Sequence, residues 1–310
     1  MQIWALIVDS FRESLDRKIF WVMLLISLAV AGAMFCIGFE PHQISLLFGT
    51  WTIKTELFTV GDALRADLLA SVLVEYIADV ILGSIGILLA LIATAGFFPA
   101  LLERGGIEVL CSKPLPRWKL LLGKYIGSLV FIAVHATIFI FLTFLVAGIR
   151  WHVWIFRYFL LIPLMILMFS YLYCVSTLVA IYTRSTVAVI LITIFAWFSF
   201  VGVQYMGDMF EVYPSLKEYR SGYKSIQTAR WIVPKTFDIT LIARKWTRAA
   251  SPTDLLPIPE DSDHRQDYEL AVETERRRME LSPILTIGSS LLFEAAILMI
   301  AMWKFSRKDF

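Results

Sequence analysis

The sequence predicts an all-α integral membrane protein. It has six transmembrane helices, an N-terminal amphipathic interfacial helix and a long loop before the last span. Three observations predict this. The 310 residues are 58% hydrophobic and only 17% charged, against roughly 45–50% and 25% in ordinary soluble domains. Six apolar runs reach the ~20 residues that a helix needs to cross hydrocarbon. Lys and Arg then collect at alternate ends of those runs, as orientation in a bilayer demands.

The elements follow in order. In residues 1–18, Ile3, Leu6, Ile7, Phe11 and Leu15 recur at helical spacing. Asp9, Arg12, Glu13, Asp16 and Arg17 fall largely elsewhere around the wheel. That pattern is a helix lying on a membrane surface. The spans are Ile19–Phe39, Ile77–Phe98, Leu120–Ala147, Tyr158–Tyr182, Val187–Met206 and Ile284–Trp303. The first is longer than the roughly 7–15 apolar residues of a secretory signal and does not follow a short basic tail, so it reads as an uncleaved span. Only the tight turn Thr183-Arg184-Ser185 separates the fourth and fifth, which makes them a helical hairpin.

Basic residues set the orientation. Arg12, Arg17, Lys18, Arg104, Lys113, Arg117, Lys119, Arg184, Lys304, Arg307 and Lys308 fall on one side. Lys54, Arg65, Arg150 and Arg157 fall on the other. The first side is expected to be cytoplasmic, with both termini on it. Residues 207–283 form an extracytoplasmic insert by parity. Arg276-Arg277-Arg278 before the last span runs against the charge rule there, in a loop too long for the rule to govern. Within the insert, Leu216, Tyr219, Tyr223 and Ile226 suggest an interfacial helix. Thr236–Trp246 is a short apolar-basic segment after Pro234, and His264–Leu281 is a charged helix. Ser282-Pro283 suits the start of the last span.

Composition also excludes. A net charge of +2 is too small to imply nucleic acid. Three cysteines, Cys36, Cys111 and Cys174, form no paired spacing, and four scattered histidines suggest no metal site. The signatures of a phosphate loop, a zinc protease, a nucleophile elbow and a dinucleotide fold are all missing.

Two places remain where chemistry would concentrate. The first is residues 101–124, LLERGGIEVLCSKPLPRWKLLLGK, a basic, turn-rich loop between long apolar runs. Glu103-Arg104 end the second span in charge, and Gly105-Gly106 break the helix. Residues 107–112 suit one or two helical turns, and Pro114 and Pro116 end them. The result is a short helix across the cytoplasmic mouth. By composition alone it is either an ordinary snorkelling anchor or a docking site for a soluble partner. The second place is inside the spans. Glu294 lies near the middle of the last one, where an unpaired charge costs roughly 2.5–3.5 kcal/mol. It is either a translocation-path or gating residue, or a structural hydrogen bond to a neighbouring helix. His135 in the third span has the same two readings. Glu75 and Asp79 sit at a span end within reach of water, and Trp151, Trp154, Phe156 and Tyr158 read as an interfacial belt.

The stretch ERGGIEVLCSKPLPRWKLLLGKYIG resembles the loop between the second and third spans of ABC-2-type transporter permeases, the membrane subunits of one class of ATP-binding-cassette exporters. The matching positions are Glu103, Gly106, Ile107, Glu108, Leu110, Ser112, Pro114, Arg117, Gly123 and Lys124, with Lys113 before Pro114. The specific motif covers about 25 residues, whereas the six-span plan agrees along the whole chain.

The resemblance implies one permease domain over residues 1–310 in the cell (inner, cytoplasmic) membrane. It implies a separate cytoplasmic ABC ATPase partner that binds ATP-Mg, no cofactor on this chain, and a second permease copy or a related permease beside it. Membrane lipid is a further partner. It assigns the ATPase-coupling loop to Glu103, Arg104, Gly106, Glu108, Lys113, Pro114, Arg117 and Lys124. A charged fifth loop longer than a minimal member needs leaves cargo unassigned. Two other expectations stand beside it. One is a membrane assembly or anchoring protein that binds an extracytoplasmic partner through 207–283. The other is an intramembrane enzyme built on Glu294 and His135.

Overall fold

The structure is a computed structural model that describes residues 18–40, 42–54, 69, 73, 84–102, 116–212, 220–236, 238–247 and 282–307. Among them, six helices are long and apolar enough to cross a membrane. The predicted surface helix before Lys18, the first turns of the second span, residues 103–115 and the charged helix His264–Leu281 lie outside the described residues.

Helix α1, Lys18–Phe35, is the first span. It stops short of the expected Phe39 because the chain turns into a three-stranded antiparallel sheet, β1 (Gly38–Glu40), β2 (Gln43–Leu46) and β3 (Trp51–Lys54). Register pairs Phe39 with Ile44 and Ile44 with Ile53. Gly38 is fixed by crowding, since a Cβ there would overlap Ser45 Oγ and the Arg150 guanidinium.

The described part of the second span is two pieces, α2 (Ile85–Thr94) and α3 (Phe97–Leu102). Pro99 accounts for the break. It has no N–H to offer the Ala95 carbonyl one turn earlier. Helix α4, Arg117–Trp151, overruns its expected limits at both ends. Its 35 residues span roughly 52 Å at 1.5 Å each, against a hydrocarbon core near 30 Å. His152 ends it in the left-handed conformation.

A 3-10 turn, Phe156–Leu160, leads into α5, Leu161–Thr183. The predicted hairpin turn is present. Arg184 takes the left-handed conformation and its N–H closes on the Ala180 carbonyl at 2.9 Å. Helix α6, Thr186–Val212, continues six residues past the expected Met206. The insert carries α7 (Arg220–Ile232), where an interfacial helix was expected, and α8 (Asp238–Thr247), on the apolar-basic segment. Helix α9, Pro283–Arg307, closes the chain, and the Ser282 carbonyl accepts from the Leu285 and Thr286 amides.

Helix α5 is the centre of the bundle. It packs on α2, α3, α4, α6, α8 and α9. Tyr158, Tyr171, Tyr173, Phe97, Phe131, Phe169 and Phe305 fill the core. Helices α1, α6 and α9 turn large apolar side chains outward, such as Leu25, Phe195 and Leu292. Burying apolar surface does little to hold helices together in hydrocarbon, so close packing and interhelical hydrogen bonds do that work.

Those bonds also order the two ends. Trp151 Nε1 donates to the Ile37 carbonyl at 2.9 Å, which ties α4 to the sheet end of α1. Helix α8 packs on the 156–160 turn, and α7 packs on α6 and α9. The sheet, the 152–160 turn, α7 and α8 therefore share one end of the bundle. The α5–α6 turn lies at the opposite end, where Lys304 of α9 sits 5.3 Å from the Tyr182 ring. This alternation matches the order expected of six spans.

Candidate functional site

Glu294 lies in the middle of α9 and reaches two other helices. Its Oε1 is 2.8 Å from the Tyr125 hydroxyl on α4. Its Oε2 is 2.9 Å from Ser170 Oγ on α5. Tyr125 also approaches the Ser170 carbonyl at 3.0 Å, and Ser170 Oγ the Leu167 carbonyl at 2.8 Å. Counting hydrogens gives two satisfied states. As a carboxylate, Glu294 accepts from both hydroxyls. As a neutral acid, it donates to the Tyr125 oxygen, which frees that hydroxyl to donate to the Ser170 carbonyl. The knot is thus closed in either form, and it joins α4, α5 and α9. In hydrocarbon such closure is required of any polar group.

The knot continues along α4. Tyr125 stacks on Tyr173 with ring centroids 5.4 Å apart. The Tyr173 hydroxyl donates to Ser128 Oγ at 2.7 Å, and Ser128 donates to the Lys124 carbonyl at 3.0 Å. Lys124 is therefore inside the bundle, 8% exposed, rather than in the loop proper. Arg117 opens α4 and is partly exposed. Glu103, Arg104, Gly106, Glu108, Lys113 and Pro114 lie outside the described residues. What the structure places is the helix they feed. Tyr125 sits eight residues after Arg117 on α4, so Arg117 and the knot are on one helix.

His135 is separate from Glu294. It is 4% exposed, with Nδ1 3.0 Å from the Phe131 carbonyl and Nε2 3.3 Å from the Phe20 carbonyl. Its ring packs edge-on against Phe20 at 4.6 Å. It joins α4 to α1, an arrangement that favours the structural reading. The pair needed for an intramembrane enzyme is not brought together. Glu75 and Asp79 lie outside the described residues.

A second polar centre escaped the sequence reading. Asp208 on α6 and Arg230 on α7 form a buried ion pair at 2.8 Å, with side chains 8% and 10% exposed. Gly207 makes room for it, since a Cβ there would sit 3.0 Å from Arg230 Cδ. Lys235 and Asp238 are buried close by, and the Lys235 ammonium lies 4.8 Å from the Trp231 ring. Burial holds the Lys235 ammonium below the usual lysine range. Asp238 opposes that shift and Arg230 adds to it. Asp208 falls just past the expected end of its span and Arg230 lies 22 residues on, so no local spacing announces the pair. Among the described residues, no group of three His, Cys, Asp or Glu gathers that could hold a metal.

Six apolar helices, tied together by internal polar bonds, define a multi-pass membrane protein. More particularly, the chain belongs to the ABC-2 family of transporter proteins, whose family model matches residues 4–310. Members of this family are permease subunits of ABC transporters without an ATPase of their own, and membership implies association with an ABC ATPase. No curated protein matches the chain closely enough to serve as a named relative.

Proposed function

We propose that this chain is the membrane-spanning half of an ATP-driven exporter. Two copies, or one copy and a related permease, surround a path in the cytoplasmic membrane with both termini inside. A separate cytoplasmic ATPase binds ATP-Mg, and this chain binds no cofactor. Residues 103–124 receive the ATPase's motion, and α4 carries it to Glu294.

One observation carries this reading. The family match runs over nearly the whole chain, and the basic loop that holds the family motif feeds directly into the helix whose Tyr125 grips α9. A long helix pushed at its loop end moves at Tyr125 as well, because its backbone bonds make it stiff. Glu294 then acts as the gating contact on the path, held or released as α4 shifts against α9. ATP drives the cycle only if the ATP-bound and ATP-free partners favour different permease states.

Cys111 offers a test because it lies within the loop. With Cys36 and Cys174 replaced by alanine, a short thiol–amine cross-linker in native membranes is expected to join Cys111 to a nucleotide-binding subunit. Nucleotide should alter the yield. Cross-links only to unrelated proteins, unchanged by ATP, would contradict the assignment and turn attention to a partner for 207–283.

A further inference from the structure

A set of polar atoms that the Glu294 knot does not use lies toward the sheet end of the bundle. The Tyr171 hydroxyl on α5 has at most a loose contact with Ser290 and meets no partner at full hydrogen-bond geometry among the described residues. Thr236 Oγ1, and both Oε1 and Nε2 of Gln204 on α6, are likewise without a partner there. Tyr171 and Thr236 are 0% exposed and Gln204 is 2% exposed.

These atoms belong to elements that pack together along one seam. Helices α5 and α7 each pack against both α6 and α9. Gln204 lies one turn from Asp208 on the buried face of α6, and Asp208 holds Arg230. The Lys235 amide donates to Ser290 Oγ at 3.0 Å, and Thr236 is the next residue along the chain from that contact. One turn further in, Phe200 and Phe293 meet edge-to-face at 5.7 Å and close the seam. Ser290 and Glu294 stand one turn apart on the same helix.

Orphaned hydroxyl and amide groups inside a membrane protein are costly, because lipid supplies no alternative partner. A primary amide alone has two donors and two acceptor sites to fill. Native proteins meet such demands with internal water where the lining is polar. We infer that the seam between α5, α6 and α9 is a hydrated cleft. Water enters from the end that carries the sheet and α7, passes the Asp208–Arg230 pair and Gln204, and reaches Tyr171 next to Glu294. Within the transport reading, the cleft gives Glu294 an aqueous approach inside a single subunit.

Radiolytic hydroxyl-radical footprinting of the wild-type chain in lipid nanodiscs tests this. Tyr158 is the dry reference, being 0% exposed with its hydroxyl bound to Thr143 Oγ1 at 2.8 Å. Tyr171, equally buried, is expected to be modified several-fold faster. Equal rates at Tyr171 and Tyr158 would overturn the inference. A Gln204→Leu, Thr236→Val variant removes polar atoms that have no bond to lose, so it is expected to fold. It should bring the Tyr171 rate down toward that of Tyr158. A Tyr171 rate that stays high in the variant would place the water elsewhere and reject this cleft. No ATPase is present in either experiment, so the outcome is separate from the coupling assignment.

Discussion

Arg230 and Lys235 differ in what their burial costs. Arg230 has a direct carboxylate partner in Asp208. Removing one member of a buried pair leaves the other unpaired, which costs about 3–5 kcal/mol. Arg230→Met is therefore expected to lower stability by about 3 kcal/mol, and adding Asp208→Asn should restore much of it. A double-mutant cycle of thermal unfolding in detergent measures both. Additive losses would mean that the pair is not coupled. Lys235 is held below its usual value mainly by burial. The unfolded chain then binds more protons than the folded one between that lowered value and about 10.4, so stability rises with pH across that window. The burden is fully present below the folded value and gone above the unfolded one. Lys235→Met is expected to melt higher than wild type near neutral pH, with the gap closing as pH approaches 10. A gap independent of pH would assign the effect to packing instead.

Helix α4 links the loop to the core. Tyr125→Phe removes the hydroxyl that bonds Glu294 but keeps the ring stacked on Tyr173. Glu294→Gln retains an acceptor and a donor in the same place. Both variants are expected to assemble normally and to bind the ATPase partner, yet to hydrolyse ATP without responding to substrate. Wild-type coupling in both would reduce the knot to a structural bond. The other elements show where sequence reading reaches. The length of their apolar runs found α4, α5, α6 and α9, because a spanning helix must satisfy its own backbone bonds and lipid requires long apolar runs. The sheet at 38–54 was not foreseen. Its short strands lie where the chain leaves the bilayer, and there neither the membrane nor a strong alternation marks them.

At the scale of the whole molecule, the plan was legible and the cross-links were not. Glu294 stood out because a carboxylate in an apolar run demands a partner, but Tyr125 and Ser170 lie 169 and 124 residues away. Such pairings are set by packing, and no local pattern records them. The six-span order makes a prediction that distance in sequence cannot disguise. Single cysteines at Arg184 and at Trp231 should react with an impermeant thiol reagent from opposite sides of the membrane, with Arg184 on the side of Cys111. Labelling of both from one side would break the parity on which the insert's placement rests.

In the proposed function, residues 103–124 couple this permease to an ATPase. The most direct measurement is ATP hydrolysis by whatever co-purifies with the tagged chain from native membranes, with wild type set against Glu103→Ala, Glu108→Ala, Arg117→Ala. An ATPase is expected to accompany the wild type, its activity is expected to be lost with the variant, and the variant permease should elute and melt as wild type does. A well-folded variant that retains the ATPase, or a wild type that never carries one in gentle detergent, would contradict that function.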